Sequence, residues 1–588
     1  MQLAAFFYNQ MILQGKGTAQ GVAVGRVYVY NEKFNIPKES LVSSGKEQSH
    51  LDRYYSIKKE ALNELDKIKK SMEDVDPLKA EIFDAHKEIV EDIIINEEIP
   101  ARILNERWTG DWAIYHVYET VIGVLKKTPD PLIAERAADF DDVRAMLLRL
   151  WYGQKSSSLS DLKEPCIIAA REIKPSGAAG INTGKVLAII TEEGGVTSHA
   201  AIIAKSFGIP AVLGVEGLLN HVKQGQYAAV DAEKGSVIID PEEEIIKSYR
   251  KKSGELSRGR KDTDAFLKKE GRTACGVKID IGLNISSAND NELNAQSYTD
   301  SVGLFRTEFL FLGRNTLPSE EEQFNAYRKV LKTFGKRPVI LRVLDIGGDK
   351  KISSVEQKQE DNSFLGNRGI RFCFSYPDIF KTQLRAALRA SAYGNLWIML
   401  PMIGSLDDIK KSKEIIEEVK DQLKKEKVQI GGVKTGIMIE VPSIALTAAF
   451  AAKEADFASI GSNDLCQYLC AADRMNAAVE NYYQSYHPAV FKVIKDAVSA
   501  FKTLEKPISI CGEMGSDPLA VKALIGCGLR KFSMGAASVA AVKKAVAGVT
   551  VAQTEEIARK ILEMSTASEI ENFLNSSYNV NGTSKSSG

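Results

Sequence analysis

The period of the apolar positions changes three times along this chain, and each change predicts a different architecture. Gly21 to Tyr30 reads as a strand. From residue 46 to 153 the spacing becomes helical, with Leu51, Tyr55, Leu62, Leu65, Ile68 and Met72 recurring at helical intervals. Breaks at Pro77, Pro100, Gly110 and the Pro129/Pro131 pair divide that stretch, so a four-helix bundle inserted into another domain is predicted. Short apolar runs then return at 166–170, 186–191, 211–215, 227–231 and 236–240, separated by glycines and one helix over 197–207. They describe a compact α/β domain whose first strand precedes the helical insertion.

Residues 241–272 are charge-dense and apolar-poor, which predicts a solvated helical linker. Beyond it, buried-looking strands alternate with long amphipathic helices. The strands end near Asn284, Arg306, Asp345, Met402, Glu440, Ser462, Gly512 and Met534, the count expected of a TIM-like (β/α)8 barrel. The predicted fold class is therefore α/β multidomain. Its expected boundaries are 1–45 with 154–245 for the α/β domain, 46–153 for the insertion, 246–272 for the linker and 273–575 for the barrel. A Ser-, Asn- and Gly-rich tail over 576–588 is expected to be disordered.

Composition narrows the function classes. The 588 residues carry 77 Lys and Arg against 77 Asp and Glu, so no basic field exists to hold nucleic acid. No apolar run approaches the ~20 residues a bilayer demands, and Met1 to Phe7 lacks a basic leader, so no membrane insertion and a cytoplasmic location are expected. Seven cysteines without a Cys-x-x-Cys pair argue against a disulfide framework and a structural zinc site. Cys466 and Cys470, one helical turn apart, read as two core residues on one face rather than half of a metal site.

A barrel of this kind works where its strands finish. There the chain places Arg306, Glu308, Arg342, Asp345, Glu440, Asn463, Asp464 and Cys511. Five of the eight strands ending in such polar and charged residues are hard to explain as rim ion pairs. Arg306 and Arg342 offer planar forks for phosphate and carboxylate oxygens, while Glu440 and Asp464 are hard oxygen ligands of the type Mg²⁺ accepts. Cys511 reads either as a small core residue or as a proton donor, since an ordinary thiol (pKa ~8.5) is protonated at neutral pH.

A second centre lies at Gly194-Gly195-Val196-Thr197-Ser198-His199, where the histidine falls in the first turn of a predicted helix. A helix N-terminus disfavours imidazolium and favours an anion there, which suits a nucleophile that accepts and releases phosphate; the other reading of a lone histidine at a helix start is a capping or packing residue. His50, His86, His116, His221 and His487 have no paired glycines beside them and read as structural. Residues 73–98 hold ten acids against Lys79 and Lys87, a net charge of −8. That stretch is either a solvated helical face or an acidic dock for a basic protein.

With these residues in view the chain resembles the Enzyme I family, the phosphoenolpyruvate–protein phosphotransferases of the bacterial sugar phosphotransferase system. The resemblance runs from about Gly15 to about Met564, through the Gly-Gly-x-Thr-Ser-His block at 194–199 and the barrel blocks at 302–312, 341–350, 436–442, 460–474 and 510–517. It implies an N-terminal phosphohistidine (swivelling) domain in which His199 takes the phosphoryl group of phosphoenolpyruvate through Nε2. It implies that Arg306, Arg342, Arg368, Asn463, Asp464 and Arg474 hold the substrate, that Glu440 and Asp464 bind Mg²⁺, and that Cys511 protonates the enolate to give pyruvate. The phosphoryl group would then pass to the carrier protein HPr, docked on the insertion near 73–98, and the enzyme would be a homodimer through its barrel.

Departures from the family pattern are Lys174-Pro175-Ser176-Gly177-Ala178 for a Thr-Pro-Ser-acid-Thr stretch, Val196 for Arg and Asn367 for Trp. Residues 1–10 exceed the usual start, so Met11 is the expected initiator. A pyruvate phosphate dikinase or phosphoenolpyruvate synthase is disfavoured because those enzymes need a large ATP-binding domain ahead of the histidine. A regulatory, non-catalytic paralogue is disfavoured because every residue given a direct chemical role is present.

Overall fold

The computed structural model describes the chain except residues 1–10, 20, 31–35, 74–76, 129–130, 155–158, 160–161, 174–180, 195–199, 202–203, 205–207, 313, 315, 348–351, 353–354, 356–359, 361 and 580–588. It divides into two compact units, residues 1–259 and 260–588.

In the first unit an eight-stranded sheet runs in the order Ile12–Gln14, Ser236–Ile239, Tyr227–Asp231, Val22–Tyr30, Cys166–Ala170, Val186–Thr191, Ala211–Leu213, Lys16–Ala19. The strands from Val22–Tyr30 to Ala211–Leu213 are mutually parallel, and the others pair antiparallel. Cys166–Ala170 is buried along its whole length, as a central parallel strand requires. Both faces are covered, one by Val27, Ile167 and Val230 and the other by Ile168, Ile189 and Ala201. The short strands at 12–14 and 16–19 have no counterpart in the expected pattern, because three or four residues are too few to show a period. Of the helix expected over 197–207, most residues lie outside those described.

Between Val22–Tyr30 and Cys166–Ala170 the chain forms helices Glu47–Glu73, Pro77–Val90, Ile93–Asn105, Gly110–Lys126 and Pro131–Trp151, five among the described residues where four were expected. Pro100 does not break its helix. The break falls at Asp92, whose carboxylate caps the next helix by accepting from Ile95 N–H at 3.0 Å. Ile95, Ile99 and Ile103 then bury one face against the core formed with Tyr118, Val143 and Leu147. That burial offsets the roughly 3 kcal/mol an internal proline costs.

The linker forms helix Glu243–Asp264, anchored within the first unit by Lys252 to the buried Asp231 at 3.2 Å. In the second unit eight parallel strands, Asp280–Ile285, Ser301–Arg306, Pro338–Arg342, Asn395–Leu400, Lys434–Ile439, Ala458–Gly461, Ile508–Cys511 and Lys531–Met534, close into a barrel. Each ends within three residues of its expected position. Side chains fill the interior: Leu304, Ile340, Trp397, Met399, Met438, Phe457 and Cys511 form one buried cluster, in which the Trp397 and Phe457 rings meet at a tilt of 49° with centroids 4.8 Å apart. Gly436 is required beside them, since a Cβ there would lie 2.5 Å from the Phe457 ring.

The tail departs from expectation. The helix Ala567–Asn579, carried by buried Ile570 and Leu574, runs on over 576–579, where a disordered tail was expected. Residues 580–588 lie outside those described.

Phe457 occupies the barrel interior at 1% exposure. Phe457→Ala should therefore cost about 3–5 kcal/mol through the cavity it leaves, read as a lower denaturant midpoint for the barrel's unfolding transition.

Candidate functional site

The carboxyl ends of the barrel strands bring one set of charged residues to a common mouth. Strand Ser301–Arg306 ends in exposed Arg306, and Glu308 follows in a short 3₁₀ turn. Strand Pro338–Arg342 ends in buried Arg342, with Asp345 three residues on. Glu440 follows strand Lys434–Ile439, and Asp464 lies in the first turn of helix Ser462–Cys470. Cys511 ends strand Ile508–Cys511.

Arg368 reaches the mouth from the long segment after Asp345. That segment is cinched at its base by two glycines with positive φ, Gly347 (+114°) and Gly369 (+60°). A Cβ on Gly347 would lie 2.7 Å from the Asn367 carbonyl oxygen, and Gly369 N–H donates to the Ile346 carbonyl at 3.0 Å. Any side chain at 347 would push Arg368 off its partners.

The arginines differ in how many donors remain free. Arg306 has no protein partner among the described residues. Arg474 makes one ion pair, Nη1 to Asp464 Oδ1 at 3.4 Å. Arg342 pairs through Nη2 with Glu308 at 2.6 Å and through Nη1 with Asp345 at 2.9 Å, while its buried Nε–H finds no acceptor. Burial opposes its charge, but Glu308, Asp345 and Glu440 outweigh that and hold the guanidinium charged. Arg368 is fully engaged by Asp345, Asp464 and Tyr468.

Asn463 accepts Glu513 N–H on Oδ1 at 2.9 Å, which leaves its amide donors uncommitted among the described residues. Gly512, at φ +94°, permits this approach, since a Cβ there would fall 2.3 Å from Ser462 Oγ.

Glu440 is completely buried. Its Oε1 accepts Met402 N–H at 2.6 Å, while Oε2 has no partner. Burial, with Asp464 and Asp345 adding repulsion, pushes this carboxyl up to about 8. An orphaned carboxylate oxygen held next to further carboxylates is the environment that a hard divalent cation relieves, so Glu440 and Asp464 fit such an ion.

Cys511 is 3% exposed and its thiol donates to the Ile460 carbonyl at 3.5 Å. Burial raises its pKa above the ordinary thiol value, with Ser459 and Arg342 partly opposing. The group is therefore a thiol, able to donate a proton, at neutral pH.

The other sequence candidate, His199, lies outside the described residues, as do Lys174, Ala178 and Val196. In the acidic stretch, several charges are spent internally: Asp84 pairs with Lys69 at 2.7 Å, Glu98 with Arg102 at 2.9 Å, and Asp92 caps its helix. Sequence reasoning passed over the roles of Glu308 and Asp345. Both stood in the strand-end blocks, but nothing in their spacing distinguishes a buried anchor from a ligand.

Comparison with known proteins adds to this geometry. Three family models match: "PEP-utilising enzyme, N-terminal" over residues 14–136, "PEP-utilising enzyme, mobile domain" over 162–235 and "PEP-utilising enzyme, PEP-binding domain" over 260–551. A phosphoenolpyruvate-protein phosphotransferase of Priestia megaterium is 36% identical, covering 97% of this chain and 99% of its own. One from Bacillus subtilis is 36% identical over 96% of this chain and 99% of its own. An NMR solution structure of Enzyme I (nEIt) is 32% identical, covers 42% of this chain and 99% of its own, and gives a TM-score of 0.38.

The thiols test the electrostatics. Exposed Cys275 is shifted the other way, its thiolate favoured by the Thr273 hydroxyl and then by Val551 N–H. Iodoacetamide should label Cys275 first, below pH 9, and Cys511 only above it, as followed by peptide mass spectrometry across a pH series.

Proposed function

The chain belongs to the phosphoenolpyruvate-protein phosphotransferase family, and from that premise we propose that it moves the phosphoryl group of phosphoenolpyruvate to its own His199 and then to a histidine of the carrier protein HPr, releasing pyruvate. The observation that carries the reading is the set of uncommitted donors at the barrel mouth. Arg306, Arg474, the Arg342 Nε–H and the Asn463 amide keep unused donors at the same strand ends that carry the unpaired Glu440 oxygen. A small trianion with phosphate at one end and carboxylate at the other matches those donors.

Phosphoryl transfer asks the protein for position and charge stabilisation rather than covalent help. Arg306, Arg474 and Arg342 bind the anion and neutralise charge on its oxygens, and Asn463 orients it. Cys511, buried and protonated, delivers its proton to the enolate carbon left when the phosphoryl group departs. Glu440 and Asp464 would hold Mg²⁺, which when bound supplies Lewis-acid stabilisation of the substrate oxygens. His199 belongs to the first unit and the mouth to the second, so the reaction requires that they meet.

The same reading assigns residues 1–45 with 154–245 to the phosphohistidine domain, 46–153 to the HPr dock with its acidic stretch near 73–98, and the barrel to homodimerisation. The same reading puts the enzyme in the cytoplasm; no helix among the described residues is long and apolar enough to cross a membrane.

Incubation with phosphoenolpyruvate labelled in phosphorus, with Mg²⁺ present, should yield acid-labile label on the wild-type chain and none on His199→Ala. Label that survives His199→Ala, or a wild type that takes none, contradicts the assignment. Glu440→Ala should abolish metal-dependent labelling. Cys511→Ala should slow pyruvate formation about 10²–10⁴-fold, measured by coupled reduction of the pyruvate released.

A further inference from the structure

The resemblance places Arg368 among the substrate ligands. We propose instead that Asp345 and Arg368 are positioning residues, a buried strut that orients Asp464 and Arg342 without touching the substrate. This rests on the phosphotransfer reading of the same mouth and refines it.

The case begins with donor arithmetic. A guanidinium has five N–H donors. In Arg368, Nε donates to Asp345 Oδ1 at 3.1 Å, and Nη2 to Asp345 Oδ2 at 3.1 Å and Asp464 Oδ2 at 3.3 Å. Nη1 donates to Asp464 Oδ1 at 3.0 Å and to the Tyr468 hydroxyl at 3.4 Å. Five contacts account for five donors, so a substrate oxygen could be accepted only by breaking a buried, charge-assisted bond. No such cost attends Arg306, with no protein partner among the described residues, or Arg474, with one ion pair.

Burial points the same way. The Arg368 side chain is 4% exposed and that of Asp345 0%, whereas Arg474 is 25% exposed. Asp345 is the shared element. It engages Arg368 through both oxygens while Oδ2 also takes Arg342 Nη1 at 2.9 Å, and its own N–H donates to Glu308 Oε1 at 3.2 Å. Three strand ends are thereby tied together: Glu308 after the second strand, Arg342 and Asp345 after the third, and Asp464 after the sixth, with Arg368 bridging Asp345 to Asp464.

The strut has a defined task. A free Asp464 would be at liberty to rotate and to pair fully with Arg474. Clamped on both oxygens by Arg368, it keeps one face and its remaining lone pairs turned toward the mouth. Arg342, held on both terminal nitrogens by Glu308 and Asp345, has one orientation left for its Nε–H. Outer partners of this kind commonly govern metal affinity and activity by 10–100-fold.

The test uses the full-length protein as wild type, Asp345→Asn, Arg368→Gln and the double variant. Two quantities are read: the dissociation constant for Mn²⁺, from the electron paramagnetic resonance signal of the free ion, and the KM for phosphoenolpyruvate. A strut predicts that each single substitution weakens Mn²⁺ binding and raises KM by about 10–100-fold, and that the double variant is no worse than the weaker single one.

Arg368→Lys, which keeps the charge and loses the fork, should reproduce Arg368→Gln, and it covers the case in which the glutamine variant does not fold. If Arg368→Gln raises KM while Asp345→Asn changes neither quantity, Arg368 touches the substrate and the proposal is overturned. Additive losses in the double variant, or no change in any variant, overturn it equally. A wild type that takes no label from phosphoenolpyruvate refutes the phosphotransfer reading and this inference together. A labelled wild type with silent variants refutes the inference alone.

Discussion

The structure depends above all on how a closed barrel tolerates a cluster of ionised groups out of water. Arg342 and Arg368 are buried with Glu308, Asp345, Asp464 and Glu440 at one end of an otherwise apolar interior. Charges taken from water carry a desolvation cost of several kcal/mol each, repaid only when geometry and hydrogen bonding are nearly complete. Asp345 supplies that completeness, since it is the one carboxylate that meets both buried arginines. The buried carboxylates nevertheless outnumber the buried arginines. The excess is felt at Glu440, where repulsion adds to burial and lifts the carboxyl to about 8. An ionised Glu440 is therefore disfavoured unless a further cation offsets that repulsion.

That imbalance links packing to chemistry. Had every donor and acceptor been matched, the mouth would be an inert rim. Instead the inner groups hold one another rigidly, and the outer ones, Arg306, Arg474 and the Asn463 amide, keep unused donors. The inner groups, already fixed by one another, need little reorganisation when charge shifts during reaction. The buried thiol of Cys511 fits the same design, because burial that would silence a nucleophile keeps a proton donor loaded. The histidine proposed to receive phosphate belongs to a different compact unit, and the 22-residue helix Glu243–Asp264 runs across the boundary between the two.

Much of this arrangement is legible in the chain. Five of the eight barrel strands are short apolar runs that give way within a few residues to Arg, Glu, Asp or Cys, and the polarity switch itself marks the mouth. The division between holding and being held is less legible. Arg342, Arg368 and Arg474 are the same residue in sequence. Only the count of engaged nitrogens separates them, and that count depends on partners up to 100 positions away, such as Tyr468 for Arg368. Local signals misled where tertiary structure overrode them, at Pro100 inside its isoleucine-faced helix and at residues 576–579, which continue the final helix.

The central claim is that phosphoenolpyruvate is seated at the carboxyl ends of the barrel strands. The most direct measurement is a crystal structure of the full chain carrying His199→Ala, grown with phosphoenolpyruvate and Mg²⁺. The account predicts density for the anion against Arg306, Arg474 and the Arg342 Nε, with a cation between Glu440 and Asp464. Density instead in the cavity of about 500 Å³ near the strand starts, lined by Gly335, Lys336, Tyr393 and Asn395, would contradict it, as would an empty mouth at saturating ligand.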